Sequence, residues 1–207
     1  MEMGLAKASL SLSSGHPELW EYLLVAYPDA EVARKIKDVQ RCLGEQYKMM
    51  PGMNQRPFIP IANFFAKEQM EGTLIKWIQR VCSEQKSFTV TLNNYSGFPP
   101  DTIYVRIQDH QPFRQIATGL KVIDEYIRGN GCPPPTIVHR PYLAIAGGLD
   151  DNLYNRAMPD FSRQCFHEHF AVTELVFFKR CNEYDDIRQV NVFRLYPPDT
   201  NMYNEVA

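Results

Sequence analysis

The sequence predicts an α+β fold: two pseudo-symmetric lobes of antiparallel sheet, each backed by helices, around a central cleft. Three observations predict it. Short stretches that alternate apolar and polar residues are interleaved with stretches of helical period. Paired alternating stretches separated by turn residues recur as hairpins. The two halves of the chain also match each other in order. Arg56-Pro57-Phe58-Ile59-Pro60-Ile61-Ala62 resembles Arg140-Pro141-Tyr142-Leu143-Ala144-Ile145-Ala146. Phe88-Thr89-Val90-Thr91 resembles Phe170-Ala171-Val172-Thr173, and Tyr104-Val105-Arg106-Ile107 resembles Val192-Phe193-Arg194-Leu195. The repeats run over about 58–107 and 142–195, and the matched central strands are expected side by side.

Each element has a local reason. Residues 1–18 are small and Ser-rich and read as a loose arm. Leu19 to Tyr27 is an apolar, aromatic first strand ended by Pro28. Asp29 caps a helix whose stripe is Val32, Ile36, Val39 and Leu43. After a Pro/Gly loop at 51–57 comes the strand Phe58 to Phe64. A helix over Ala66 to Ser83 buries Met70, Leu74, Trp77 and Val81. Phe88 to Leu92 and Thr102 to Gln108 form a hairpin with a long turn over 93–100. One helix, with Phe113, Ile116, Leu120, Ile123 and Ile127 inward, stops at Gly129-Asn130-Gly131. The second central strand follows a rigid Pro133–Pro135 spacer and runs into Gly147-Gly148. Pro159 is expected to interrupt the helix between Asp150 and Phe166. Phe170 to Phe178 and Val190 to Tyr196 make the last hairpin, and 197–207 is a tail. The ordered unit is a single bilobal domain over 19–196.

Composition narrows the function. With 207 residues, 44% hydrophobic, the chain has material for a sizeable core. A net charge of −2 supplies no global field for holding DNA. Five cysteines, an odd number with no C-x-x-C, argue against a disulfide framework or zinc ribbon and for a reducing compartment. The first residues do not read as a signal peptide, and no apolar run is long enough to span a bilayer, so a cytoplasmic protein is expected.

Strand alternation selects the candidate site. Val90, Leu92, Val105 and Ile107 suit the core, so Thr91, Tyr104 and Arg106 point the other way. The second half contributes Thr173 and Arg194 by the same logic, and the central strands contribute Phe58 and Tyr142. Arg106 and Arg194 hold matched places, and two guanidinium forks suit one phosphate or carboxylate. Phe58 and Tyr142 suit base stacking or simple filling of the cleft. His139, three residues before Tyr142, reads as a loop residue. His167 and His169 share a strand face, but no third ligand announces a metal site, and they read as the solvated start of a strand. No P-loop, dinucleotide fingerprint or nucleophile elbow occurs.

Element order, internal duplication and hairpin pattern over about residues 20–196 resemble the two-histidine phosphoesterases, which include 2'-5' RNA ligase-like proteins and cyclic phosphodiesterases. The resemblance implies a His-apolar-Thr/Ser-apolar tetrad on each central strand, with one imidazole as general base and the other as general acid. Here the tetrads read Phe58-Ile59-Pro60-Ile61 and Tyr142-Leu143-Ala144-Ile145. Phe58 transfers no proton, Tyr142 brings a phenol, whose reference pKa of about 10 would need a large shift for a base, and Pro60 and Ala144 offer no hydroxyl. The expected protein therefore binds a nucleotide, an RNA end or a small phosphorylated ligand without catalysis, and with no cofactor or metal. The alternatives are a phosphoesterase using Tyr142, His139 or the arginines, and an interaction protein with a filled cleft.

Overall fold

The computed structural model describes residues 19–48, 56–182 and 185–197. The predicted arm, most of the 51–57 loop and most of the tail lie outside these. Among the described residues the strands are β1 (Leu19–Ala26), β2 (Ile59–Lys67), β3 (Phe88–Phe98), β4 (Thr102–Ile107), β5 (Thr136–Ile137), β6 (Leu143–Ala146), β7 (His167–Val172), β8 (Glu174–Arg180) and β9 (Arg188–Arg194). The α-helices are α1 (Ala30–Tyr47), α2 (Glu71–Ser83), α3 (Gln111–Gly119), α4 (Lys121–Gly129) and α5 (Asp151–Ser162). These strands form two sheets, ordered β5-β2-β1-β8-β9 and β6-β4-β3-β7. Every pairing between them is antiparallel.

The lobes are tied by an exchange. Helix α1 leaves β1 of the five-stranded sheet but packs against β6 and β7 of the other. Helix α3 leaves β4 of the four-stranded sheet and packs against β2. Helices α2 and α5 stay with their own lobes, α2 against β9 and α5 against β3 and β4, while α4 packs on α2 and α3. Each sheet thus turns one apolar face to helices. In the five-stranded sheet that face carries Tyr22, Phe64, Phe177 and Phe193, all essentially inaccessible. Tyr22 stacks on Phe177 at 5.3 Å and on Phe64 at 5.6 Å. Rings of this size contribute the largest apolar burial per side chain. The opposite faces of the two sheets line the cleft.

Several expectations need correction. The central strands do not pair within one sheet: β2 lies inside the five-stranded sheet and β6 on the edge of the other, although the two come into contact across the sheets. Each instead pairs with the strand that precedes its own helix, β2 with β1 and β6 with β4. The matched residues 88–91 and 170–173 do not fall in separate lobes: β3 and β7 lie in one sheet and pair with each other, Val90 opposite Phe170. The stretch 170–178 is two strands, not one. The chain passes from one sheet to the other at Thr173, whose carbonyl accepts from the Leu195 amide at 2.8 Å.

Element ends moved for local reasons. β2 runs to Lys67 because Phe64 and Ala66 continue the ladder opposite Tyr22 and Trp20. β3 runs through the expected turn to Phe98, absorbing Asn93 and Asn94 as a bulge. The expected single helix after β4 is two, α3 and α4, broken at Leu120. A Cβ at Gly119 would sit 2.8 Å from Val81 Cγ1, so glycine permits this close approach to α2. Pro159 does not interrupt α5. The Asp150 cap and the buried Ala157 and Phe161 hold the helix across one lost amide.

Candidate functional site

The cleft face of the four-stranded sheet is defined by strand phase. On β4, Ile103, Val105 and Ile107 are buried, so Tyr104 and Arg106 point to the cleft. Tyr104 lies opposite Ala144 of β6 and Ser96 of β3. Further along the same register, Tyr142 comes beside Arg106. On β3, Val90 and Leu92 are buried and Thr91 takes the cleft side.

This face has an aromatic half and a polar half. Phe98 stacks on Tyr104 with centroids 4.5 Å apart, and Tyr142 meets Tyr104 at 4.8 Å and Phe98 at 5.2 Å. Tyr142 is only 8% exposed, whereas Phe98 is 39% exposed. The cluster therefore anchors one ring and offers another to solvent. Ala144 is exposed beside it. In the polar half, Arg106 Nε donates to the Asn93 carbonyl at 3.2 Å. The register sets Asn93 opposite His167, and Thr91 opposite His169. Both histidines are exposed.

Asn94 fixes this corner. It adopts φ 56°, a left-handed conformation that asparagine tolerates better than most residues. Its amide donates to the Phe166 carbonyl at 2.7 Å, and its Oδ1 accepts from the Phe166 amide at 3.1 Å. Phe166, the residue just before β7, is thereby held against the bulge.

The predicted residues fare unequally. Tyr104 and Tyr142 are in contact, and Thr91 and Arg106 share their sheet face. Thr173 is an exposed link residue between β7 and β8, so strand alternation does not govern it. Arg194 is exposed on the edge strand β9, opposite Glu174, in the other sheet from Arg106. Phe58 is half-buried and immediately precedes β2. His139 is exposed in the bend before β6. Phe98, Asn93, His167 and His169 were missed as members of this face. The i, i+2 spacing of the histidines was visible in the sequence, but which face they joined depends on the β3–β7 register.

The opposing wall is closed upon itself. Glu21, 8% exposed, accepts from Asn63 Nδ2 at 2.9 Å and from Arg180 Nε. The same face continues along the strands as Leu23, Val25, Val176 and Phe178. Near the start of β2, the Arg56 guanidinium lies 4.1 Å from the Tyr27 ring centroid and donates to the Pro28 carbonyl. Burial raises the Tyr27 phenol pKa, and Arg56 partly offsets this. Among the described residues no group of three His, Cys, Asp or Glu side chains is placed to hold a metal. No helix there is long and apolar enough to cross a membrane. A groove of about 780 Å³ lies elsewhere, between the end of α2 and α3, and contains none of the predicted residues.

The match to known proteins agrees with this architecture. TT0787 of Thermus thermophilus is similar with a TM-score of 0.61 and 12% identity, over 86% of this chain and 98% of that one. E. coli LigT, solved in complex with 3'-AMP, gives 0.56 and 15%, over 86% and 99%. The LigT complex with ATP gives 0.54 and 15%, over the same shares. No curated protein matches the chain at a significant level. Identities this low speak for the fold alone, but the model of the 2'-5' RNA ligase superfamily matches residues 28–183, most of the sequence. The chain belongs to the 2'-5' RNA ligase superfamily.

Proposed function

We propose that this protein binds a nucleotide, a phosphorylated RNA end or a related small phosphorylated ligand in the cleft without hydrolysing it. The observation that carries the reading is the nature of the motif positions. By the family resemblance, Phe58 and Tyr142 occupy the places of the two acid-base histidines, and Pro60 and Ala144 those of the hydroxyls. Strands β2 and β6 contain no histidine, serine or threonine. Tyr142 is packed against the stacked pair Phe98 and Tyr104, as suits a stacking platform and not a proton relay. The nucleotide complexes of LigT support the ligand class. Arg106 and Arg194 are the cations offered to its phosphate, and Phe58 an apolar surface from the other sheet.

The test pairs an activity assay with calorimetry. Purified protein is expected to leave 2',3'-cyclic nucleotides and 2'-5' linkages intact, since losing one acid-base group alone removes about 10²–10⁴ in rate. It is expected to bind nucleotides. Robust turnover that disappears in Tyr142→Phe overturns the non-catalytic reading. A second reading, a cleft filled by its own side chains, draws support from the near-complete burial of Tyr142. Failure of every nucleotide in the panel to bind would favour it.

A further inference from the structure

We propose that His167 and His169 complete an oxyanion subsite with Arg106, and that this subsite favours a chain of phosphates over a single one. The inference rests on the binding role proposed above and adds to it the residues that orient the ligand. The polar half of the open wall is a grid two residues deep and three strands wide. Its first row is Arg106, Asn93 and His167; its second is Gln108, Thr91 and His169. The Gln108 amide donates to the Thr91 carbonyl at 2.9 Å, which sets the second row in register.

Arg106, Gln108, His167 and His169 are exposed, and Asn93 and Thr91 are partly so. Of the donors of Arg106, Nε is engaged by Asn93, and the terminal amino groups have no protein partner among the described residues. Neither imidazole has one there either. No carboxylate belongs to the grid. Glu168, between the histidines, points to the other face and pairs with Lys35 at 2.8 Å. Asp109, after Gln108, accepts from the Gln111 amide at 2.9 Å as α3 begins. The face therefore carries a guanidinium, imidazole and amide donors, and a hydroxyl, with no anion among them. Charge-assisted bonds from such donors select oxyanions.

Spacing sets the size of the ligand. Neighbouring strands are about 4.8 Å apart, and the Arg106 side chain already reaches the middle strand at Asn93, so its guanidinium stands about one strand spacing from the His167 position. The grid is also two residues, about 7 Å, deep along the strands, so a pyrophosphate or longer chain engages more of its donors than one phosphate does. Tyr142 lies on the far side of Arg106 in the same row, so a base on the aromatic half directs its phosphates along the grid.

The experiment is titration of histidine-labelled protein with inorganic phosphate, pyrophosphate and ATP, followed by NMR of the imidazoles and by calorimetry. Pyrophosphate is expected to shift the His167 and His169 resonances and to bind more tightly than phosphate. The double variant His167→Ala, His169→Ala and the single variant Arg106→Ala are each expected to weaken pyrophosphate by about tenfold or more. His139→Ala, in the exposed bend, is expected to bind as the wild type does. A thermal melt verifies that these surface variants remain folded. Unshifted imidazoles, or a double variant that binds pyrophosphate normally, overturns the subsite even if ATP still binds. Pyrophosphate binding as tight as that of ATP leaves the subsite standing and sinks the nucleotide reading. Absence of binding by all three probes sinks both.

Discussion

The two walls of the cleft have the same strand geometry and opposite polar economies. On the five-stranded sheet, Glu21 is buried, and its carboxylate is matched by Arg180 and Asn63. A carboxylate withdrawn from water needs such partners, so this polarity serves the fold. On the four-stranded sheet, Arg106, His167 and His169 are exposed, and the apolar residues gather into the separate Phe98–Tyr104–Tyr142 cluster. Polar groups left open beside an aromatic platform cost little stability and remain available to a ligand. The contrast teaches that the count of polar side chains on a cleft face says little; their partners decide the role.

The strongest way to break this comparison is to remove a charge from each wall. Glu21→Ala is expected to lower the unfolding free energy by about 3 kcal/mol, because it strands Arg180 and Asn63. Arg106→Ala is expected to change it by less than about 0.5 kcal/mol, as at an open surface position. Urea unfolding of both variants is the measurement, and equal losses would erase the distinction between the walls.

A smaller effect is expected on binding. Tyr104→Ala removes the ring stacked on Phe98 and touching Tyr142, and should weaken a bound nucleotide by about 1–3 kcal/mol. Calorimetry decides, and unchanged affinity would move the ligand off the aromatic half.

The smallest effect concerns the loop beyond the open wall. His110 Nδ1 is buried without a partner among the described residues. Burial, with Arg114 and Arg140 nearby, holds its pKa below the ordinary value of 6.5, against a weaker opposite pull from Asp109. The folded protein thus keeps this imidazole neutral where the unfolded chain already binds a proton. Its contribution to stability is complete above pH 6.5 and declines as the pH falls below that value toward the lowered folded pKa. Denaturation midpoints from pH 7.5 to 5 should fall less steeply in His110→Gln than in the wild type. Identical slopes would remove His110 from the account.

Much of the site was legible where one strand sufficed. The alternation that buries Val105 and Ile107 and frees Tyr104 and Arg106 follows from the pleat, and it appears as expected. The Asp29 cap, which accepts from the Val32 amide at 2.8 Å, was legible because a cap is set by four consecutive residues. Thr173 was not legible, since a switch between sheets breaks the period of two that the expectation required. The histidines failed differently: their common face was visible, but its neighbours Thr91 and Asn93 lie far away in sequence.

By itself the sequence determined the classes of element, their order, the aliphatic character of the buried faces, and the lack of His, Ser or Thr on the two matched central strands. These depend on local period and on residue chemistry, which no packing arrangement alters. The tertiary structure alone decided that those strands fall in different sheets, that β7 and β8 part at Thr173, and that Arg106, Asn93 and His167 form one row. Strand pairing is chosen by non-local hydrogen bonds and by the burial of whole faces. A period of two allows a residue either side of a sheet, and only the partner strand selects the sheet and the side.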